Sequence, residues 1–197
     1  DVYTEEMAHF VETFSRVGMP HYMPYTFFVS GGALAVENAL KVAFDWKVQK
    51  NFEKGYRKEV GHKVLHLDKA FHGRSGYTMS LTNTDPKNTR YFPKFDWPRR
   101  HNPAVHYPLD SDSLKQVIHE EDLALAQARQ YLETYKDDIA CILLEPIQGE
   151  GGDNHFRKEF HQGLRDLADE FDTLLVYDEV QTGVGLTGKF WAHEHYV

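Results

Sequence analysis

The sequence predicts an α/β domain of three layers, a mainly parallel sheet with helices on both faces. Two observations predict it. Unbroken apolar runs at residues 64–67, 139–144 and 174–177 have the form of strands whose sheet is covered on both sides. The longer stretches between them repeat apolar residues at helical spacing, and strands that alternate with helices build parallel sheets.

In chain order, residues 4–17 predict a helix with Thr4 as its cap and Met7, Phe10, Val11 and Phe14 on one face. Residues 19–24 read as a turn region and 25–29 as a short strand. Ser30-Gly31-Gly32 then leads into a helix over 33–52, with Val36, Ala39, Leu40 and Ala43 on its apolar side. The strand at 64–67 runs into Phe71-His72-Gly73-Arg74. Between 82 and 108, Pro86, Pro93, Pro98, Pro103 and Pro108 leave no room for a long helix or a central strand. An irregular stretch of that length is more often a functional surface than a spacer. Ser111 or Ser113 opens a helix that reaches the neighbourhood of Tyr135, followed by the strand at 139–144 and a helix over 159–171. The run at 174–177 predicts a fully buried strand, with Asp178 and Glu179 at its end. Ligands of open α/β sheets bind beyond the carboxyl ends of strands, where such acids can meet them.

Composition narrows the class. The chain has 197 residues, 41% hydrophobic and 26% charged, a balance that suits a folded protein with one good core. Its formal charge of -8 argues against nucleic acid as the main partner, because phosphates are neutralised by clustered Lys and Arg. Arg99-Arg100-His101 is too short to change that. No run of 18 apolar residues occurs, so no membrane partner is expected. Cys141, the one cysteine, lies in an apolar run and reads as a buried small hydrophobe. A disulfide within the chain is then impossible, which fits a cytoplasmic location. The sequence has no initiator Met and no terminating signal, and both ends are expected to be cuts within a longer chain.

Four loops carry the chemistry. Gly32 and Ala33 open a helix after a glycine turn, a natural seat for phosphate, although a plain turn looks the same. Phe71, His72 and Arg74 offer a flat ring, an imidazole and a carboxylate-binding guanidinium; taken singly they read as a core ring and a surface charge. Glu145 and Glu150 lie in a glycine loop after the strand at 139–144, where two unrelated carboxylates are the plain alternative. Asp178, Val180 and Gln181 follow the last strand. Gly183-Val184-Gly185-Leu186-Thr187-Gly188 matches G-x-G-x-x-G, but residues 178–182 separate it from its strand, so a dinucleotide loop is a weak reading. His193 and His195 lack a third metal ligand at a usual spacing; a solvated helix face suits them better, and no metal is expected. One ligand would satisfy all four loops: a phosphate for Gly32 and Ala33, a ring between Phe71 and Val180, and a ring nitrogen that Asp178 keeps protonated. Pyridoxal phosphate has these features.

The strings Asp178-Glu179-Val180-Gln181-Thr182-Gly183 and Glu145-Pro146-Ile147-Gln148-Gly149-Glu150-Gly151-Gly152 resemble the fold-type I, class III (omega) aminotransferases over nearly the whole chain. SGGALAVENALK, FHGRSGYTMSLTNTDP and FPKFDWPRRHNP are most similar to the lysine 6-aminotransferase branch. The resemblance implies a partial pyridoxal-phosphate-binding large domain over residues 1–197, and a reaction that moves the terminal amine of L-lysine to 2-oxoglutarate. It implies that Gly32 and Ala33 bind the phosphate, that Phe71 stacks on the ring beside His72, and that Asp178 pairs with the pyridine nitrogen. Val180 would pack on the other ring face, Gln181 would lie near the ring hydroxyl, and Arg74 would hold the substrate's α-carboxylate. Glu150 would be the switch acid that pairs with an arginine for one substrate only, with Glu145 in support. A homodimer is implied too. The lysine that holds the cofactor covalently, the N-terminal segment and a small C-terminal domain are expected outside this chain, so no catalytic residue is assigned within it. Lys189 lacks the required strand context. Leu186 stands where many members carry arginine. The alternatives are an ornithine or acetylornithine type of the same class, or a non-catalytic nucleotide-binding module.

Overall fold

Residues 3–196 are described by the computed structural model. Strands β1 (Lys63–Leu67), β2 (Arg99–Arg100), β3 (Ile139–Leu144) and β6 (Leu174–Tyr177) form one sheet in the order β2-β1-β3-β6, with every neighbouring pair parallel. A second, antiparallel pair joins β4 (Ile147–Gln148) to β5 (Asn154–His155). The helices are α1 (Glu5–Val17), α2 (Gly32–Glu53), α3 (Ser111–Thr134) and α4 (Lys158–Glu170).

Alternation along the strands sorts the core into two layers. Leu65, Leu67, Ile142 and Leu144 pack with Ala124, Ala128 and Leu132 of α3 and with Phe160 and Leu164 of α4. From the opposite face, Val64, Cys141 and Leu143 meet Val36, Leu40 and Ala43 of α2. This is the predicted three-layer arrangement. Cys141 is fully buried, and its burial pushes the thiol up to about 12.

The predicted helix at 33–52 and strand at 139–144 appear as α2 and β3 with the same boundaries to within a residue. Thr4 caps α1 as expected, its Oγ1 accepting from Met7 N at 3.2 Å. Helix α3 opens at Ser111 as expected, and its cap is Asp110, which accepts from Ser113 N at 2.8 Å. The proline-rich stretch holds a short 3-10 turn, a single bridge from Val105 to His155, and β2 at the sheet's edge, where proline does least harm to a ladder.

Two expectations are corrected. Residues 25–29 form no strand: a strand needs a ladder partner, none of the described pairings includes them, and Tyr25 and Phe27 are exposed. β6 is half-buried along its length instead of fully buried, because it too lies at an edge of the sheet. The glycine loop after β3 holds the β4–β5 hairpin, which the sequence reading did not foresee. In addition, the apolar face of α1 contains no buried residue. Its Phe10 and Phe14 join an aromatic cluster with Phe28, Phe190 and Trp191.

Candidate active site

In a parallel sheet the carboxyl ends of the strands share one side, and here the loops after β1, β3 and β6 meet the amino end of α2. Gly31 caps α2 with a φ of 104° and supplies no side-chain bond, and the first turn contains no acid. Its free N–H groups and positive dipole end therefore remain available to an anion. Beside them, a methyl group on Gly32 would lie 2.8 Å from Val180 Cγ1, and one on Gly73 would lie 2.5 Å from Ala33 Cβ. Glycine is thus required at both positions by close approach. It seats the loop after β6 against Gly32 and the loop after β1 against Ala33.

Asp178 follows β6, held by its backbone N–H to Leu144 O at 2.9 Å. Its Oδ2 lies 2.7 Å from His72 Nδ1, both side chains being buried, and its Oδ1 accepts from Val180 N at 3.1 Å. A proton on His72 Nδ1 is the tautomer that this acceptor selects. His72 Nε2 is buried with no partner, and its main chain is pinned by donation from His72 N to Thr82 Oγ1 at 2.9 Å.

Glu145, at the end of β3, accepts from Phe71 N at 2.9 Å. Burial pushes this carboxyl up to about 7, against an opposing pull from His72 and the Phe71 N–H. A carboxyl so placed holds its proton at pH values where a surface glutamate has lost it. Glu150 is exposed, and Gly149 beside it touches the Gln181 side chain. Arg74 is exposed and makes no ion pair among the described residues, which leaves its guanidinium available to a carboxylate. Eight of the ten predicted residues therefore fall on loops, and Gly32 and Ala33 on the first turn of α2, all at one end of the sheet. Arg74 and Glu150 stand on its rim.

Several positioning residues were not anticipated. Glu37 of α2 is buried and accepts from Ser75 Oγ at 2.6 Å and Tyr77 N at 2.7 Å, holding the turn that follows Arg74. An acid on the apolar side of a helix, next to Val36, was its signal. Gln148 is fully buried, donating to Asp68 O at 2.8 Å and accepting from Asn102 Nδ2 at 2.7 Å. It ties the hairpin to the end of β1, and the backbone of Lys69 passes so close to Gly151 that no side chain fits there.

His193 corrects an expectation. It is buried, not on a solvated face, with Nδ1 2.8 Å from Glu179 Oε1 and Nε2 2.9 Å from Tyr22 Oη; only His195 is exposed. Burial alone would raise Glu179, but bonds from the His193 ring and from the N–H groups of His193 and Ala192 hold it below the usual carboxylate range. The glycines at 183–188 lie in turns with no helix opening at their end, so they lack the geometry of a dinucleotide loop. A cavity of about 840 Å³ lined by His66, Thr82, Arg90 and Trp97 contains none of the ten predicted residues. The chemistry of the cluster outweighs the size of that hollow in assigning the site. No group of three or more potential metal ligands occurs among the described residues.

Comparison with known proteins places this geometry. L-lysine-epsilon aminotransferase of Mycobacterium bovis is 58% identical over 194 residues, covering 98% of this chain and 42% of that protein. 4-Aminobutyrate aminotransferase of Emericella nidulans is 34% identical over 207 residues, covering 97% of this chain and 41% of the relative. The structure of lysine aminotransferase from M. tuberculosis in the internal aldimine form superposes with a TM-score of 0.91 at 56% identity, covering 100% of this chain and 44% of that one. The chain thus spans less than half the length of these relatives. The sequence profile of class-III aminotransferases matches residues 2–197, and this chain belongs to that family.

Proposed function

We propose that the full-length protein transfers the terminal amine of L-lysine to 2-oxoglutarate with pyridoxal phosphate, giving 2-aminoadipate 6-semialdehyde and glutamate. The observation that carries this reading is the buried Asp178–His72 pair beside a helix amino end whose glycine cap offers no side-chain bond, in a chain 58% identical to a lysine aminotransferase. The residues fit the cofactor. Glycine at 32 keeps the amino end of α2 open for a phosphate, Val180 stands beside it with 65% of its surface free, and Asp178 is fixed before any ligand arrives. When bound, pyridoxal phosphate supplies an electron sink whose strength depends on a protonated ring nitrogen.

The chain's own part is to set that protonation and to orient what binds. Asp178 presents a carboxylate that favours a proton on the facing nitrogen, and His72, donating from Nδ1, keeps the carboxylate from rotating. Ala33 and Gly32 offer backbone N–H groups to the phosphate. Phe71 is half-buried and anchored through its N–H to Glu145, which fixes a ring face for stacking. Arg74 is suited to bidentate capture of the α-carboxylate. Glu150 and Gln181 stand near enough through Gly149 to respond to the same ligand.

Incubating the full-length protein with L-lysine and 2-oxoglutarate tests this reading. Glutamate formation and a visible band reducible by borohydride are expected. Glutamate from ornithine, acetylornithine or 4-aminobutyrate but not from lysine would overturn the substrate assignment. A homodimer belongs to the same reading, supported by the family and by the exposure of Tyr25, Phe27, Tyr91 and Phe92; light scattering of the full-length protein measures it. A cytoplasmic location is supported by the buried free thiol of Cys141.

A further inference from the structure

Asp178 and Glu179 are neighbours at a strand end, and extended backbone sends successive side chains to opposite sides. Asp178 turns to His72. Glu179 turns to the other side and becomes a hub for residues distant in sequence. Its Oε2 accepts from Ala192 N at 2.6 Å and from Thr182 Oγ1 at 3.1 Å, and its Oε1 accepts from His193 N at 2.8 Å and lies 2.8 Å from His193 Nδ1. The His193 ring stacks on Tyr177 of β6, with centroids 5.8 Å apart and an interplanar angle of 15°. Its Nε2 lies 2.9 Å from Tyr22 Oη, so a proton on Nδ1 leaves Nε2 to accept from the phenol. Trp191 reinforces the link, its Nε1 donating to Gly18 O at 2.6 Å.

The turn between these two acids and Gly183 is therefore fixed from both sides. Val180 N is held by Asp178, Gly183 N bonds Glu179 O at 2.9 Å, and the Glu179 side chain is saturated by the segment at 182–193. Val180 itself projects from this turn against Gly32, and Gln181 against Gly149. Among the described residues the Gln181 side chain makes no hydrogen bond, and Val180 is tied only through its main-chain N–H to Asp178. Their side chains therefore take their positions from the turn, which Asp178 holds on one side and Glu179 on the other.

We infer that Glu179, His193 and Tyr22 form a positioning relay that sets Val180 and Gln181 against the cofactor ring and couples their pose to the segment at 18–22. The inference rests on the proposal that the site takes pyridoxal phosphate. None of the three residues touches the reacting atoms; each acts through the turn. The relay predicts that perturbing the phenol of Tyr22, outside the cluster of site residues, changes how the ring is held.

The test uses the full-length protein in three forms: unsubstituted, Glu179→Gln and Tyr22→Phe. Glu179→Gln keeps the shape and an acceptor but removes the charge. Tyr22→Phe removes one hydroxyl from a half-exposed ring, so the fold is retained. Pyridoxal phosphate is titrated into each apo form, and the visible circular-dichroism band of the bound cofactor is recorded. Glu179→Gln is expected to raise the cofactor Kd by about tenfold, the size associated with losing a hydrogen bond to a charged group. Tyr22→Phe is expected to raise it about threefold, in keeping with a neutral bond, and both are expected to reduce the dichroic band per bound cofactor. An unchanged Kd and band in both variants overturns the relay. So does a raised Kd in Glu179→Gln alone with an unaltered band, since that is what weakened folding would give. If the unsubstituted protein binds no pyridoxal phosphate, the cofactor assignment fails instead, and the two failures are told apart by that control.

Discussion

At the scale of single residues, Asp178 is the position on which most depends. It is buried, paired with His72 and held by Val180 N, so Asp178→Asn keeps the shape while removing the charge from a buried pair. A fall of about a hundredfold in kcat/KM, roughly 3 kcal/mol, is expected from steady-state kinetics on the full-length protein; a loss of less than threefold would remove Asp178 from its assigned role. Arg74 should behave differently. Arg74→Lys retains the charge but loses the bidentate fork, and about a tenfold rise in KM for lysine with a smaller change in kcat is expected. Glu145 supplies a test by pH. Its carboxyl is pushed up to about 7 from 4.5, so its contribution to stability is full below pH 4.5 and is lost as pH rises towards 7. His66 and His161 work in the other direction: burial pushes both down to about 3 from 6.5, and their contribution is full above pH 6.5 and lost as pH falls. Between pH 4.5 and 6.5 two imidazoles oppose one carboxyl. Glu145→Gln should therefore make the stability of the apo protein rise more steeply with pH than in the unsubstituted form, by about 1.4 kcal/mol per unit, across this window. Urea midpoints across this window measure both slopes, and identical slopes would contradict the assignment of Glu145.

At the scale of elements, the site depends on seams where glycine lets two segments touch. Gly73 has a φ of 107°, and a methyl group there would strike Ala33. Gly73→Ala combines a disfavoured backbone with a clash against a helix end, and a destabilisation of about 2 kcal/mol or more is expected in chemical denaturation. The same substitution at Gly55, where φ is 95° but open space surrounds the Cβ position, should cost only the backbone part, about 1 kcal/mol. Equal losses at the two positions would show that contact with Ala33 is unimportant. The element pattern itself was legible in the sequence because each strand and helix carries its own periodicity. The run 139–144 needs no partner to be recognised, since it is apolar throughout, whereas 25–29 has strand-like residues but no ladder among the described residues to join.

At the scale of the whole molecule, the sheet has two edges of different character. β2 is two residues long, while β6 is a half-buried strand whose outer side carries no pairing among the described residues. β1 and β3 are interior. Amide exchange on this chain should therefore be slowest in β3, whose residues are all buried, and faster in β6 by an order of magnitude or so. Equal protection in the two strands would mean that β6 gains a partner, as self-association through an exposed edge would provide. Dilution during the exchange experiment distinguishes those states.

The sequence by itself determined the fold class and the order of the four helices and of the strands β1, β3 and β6, because strand runs and helical periodicity are local properties. It also proposed Asp178, His72 and Gly32 as site residues, because each stands in its own short, glycine-flanked motif. Tertiary structure alone decided which of those residues touch. The pairing of His72 with Asp178 spans 106 positions and that of Tyr22 with His193 spans 171, and no periodicity encodes a contact at such distances. It likewise turned His193 from an expected surface residue into a buried link, and showed β6 to be only half covered. Burial depends on which segments the folded chain brings alongside, and that is settled by packing across the whole molecule and not by the residues on either side.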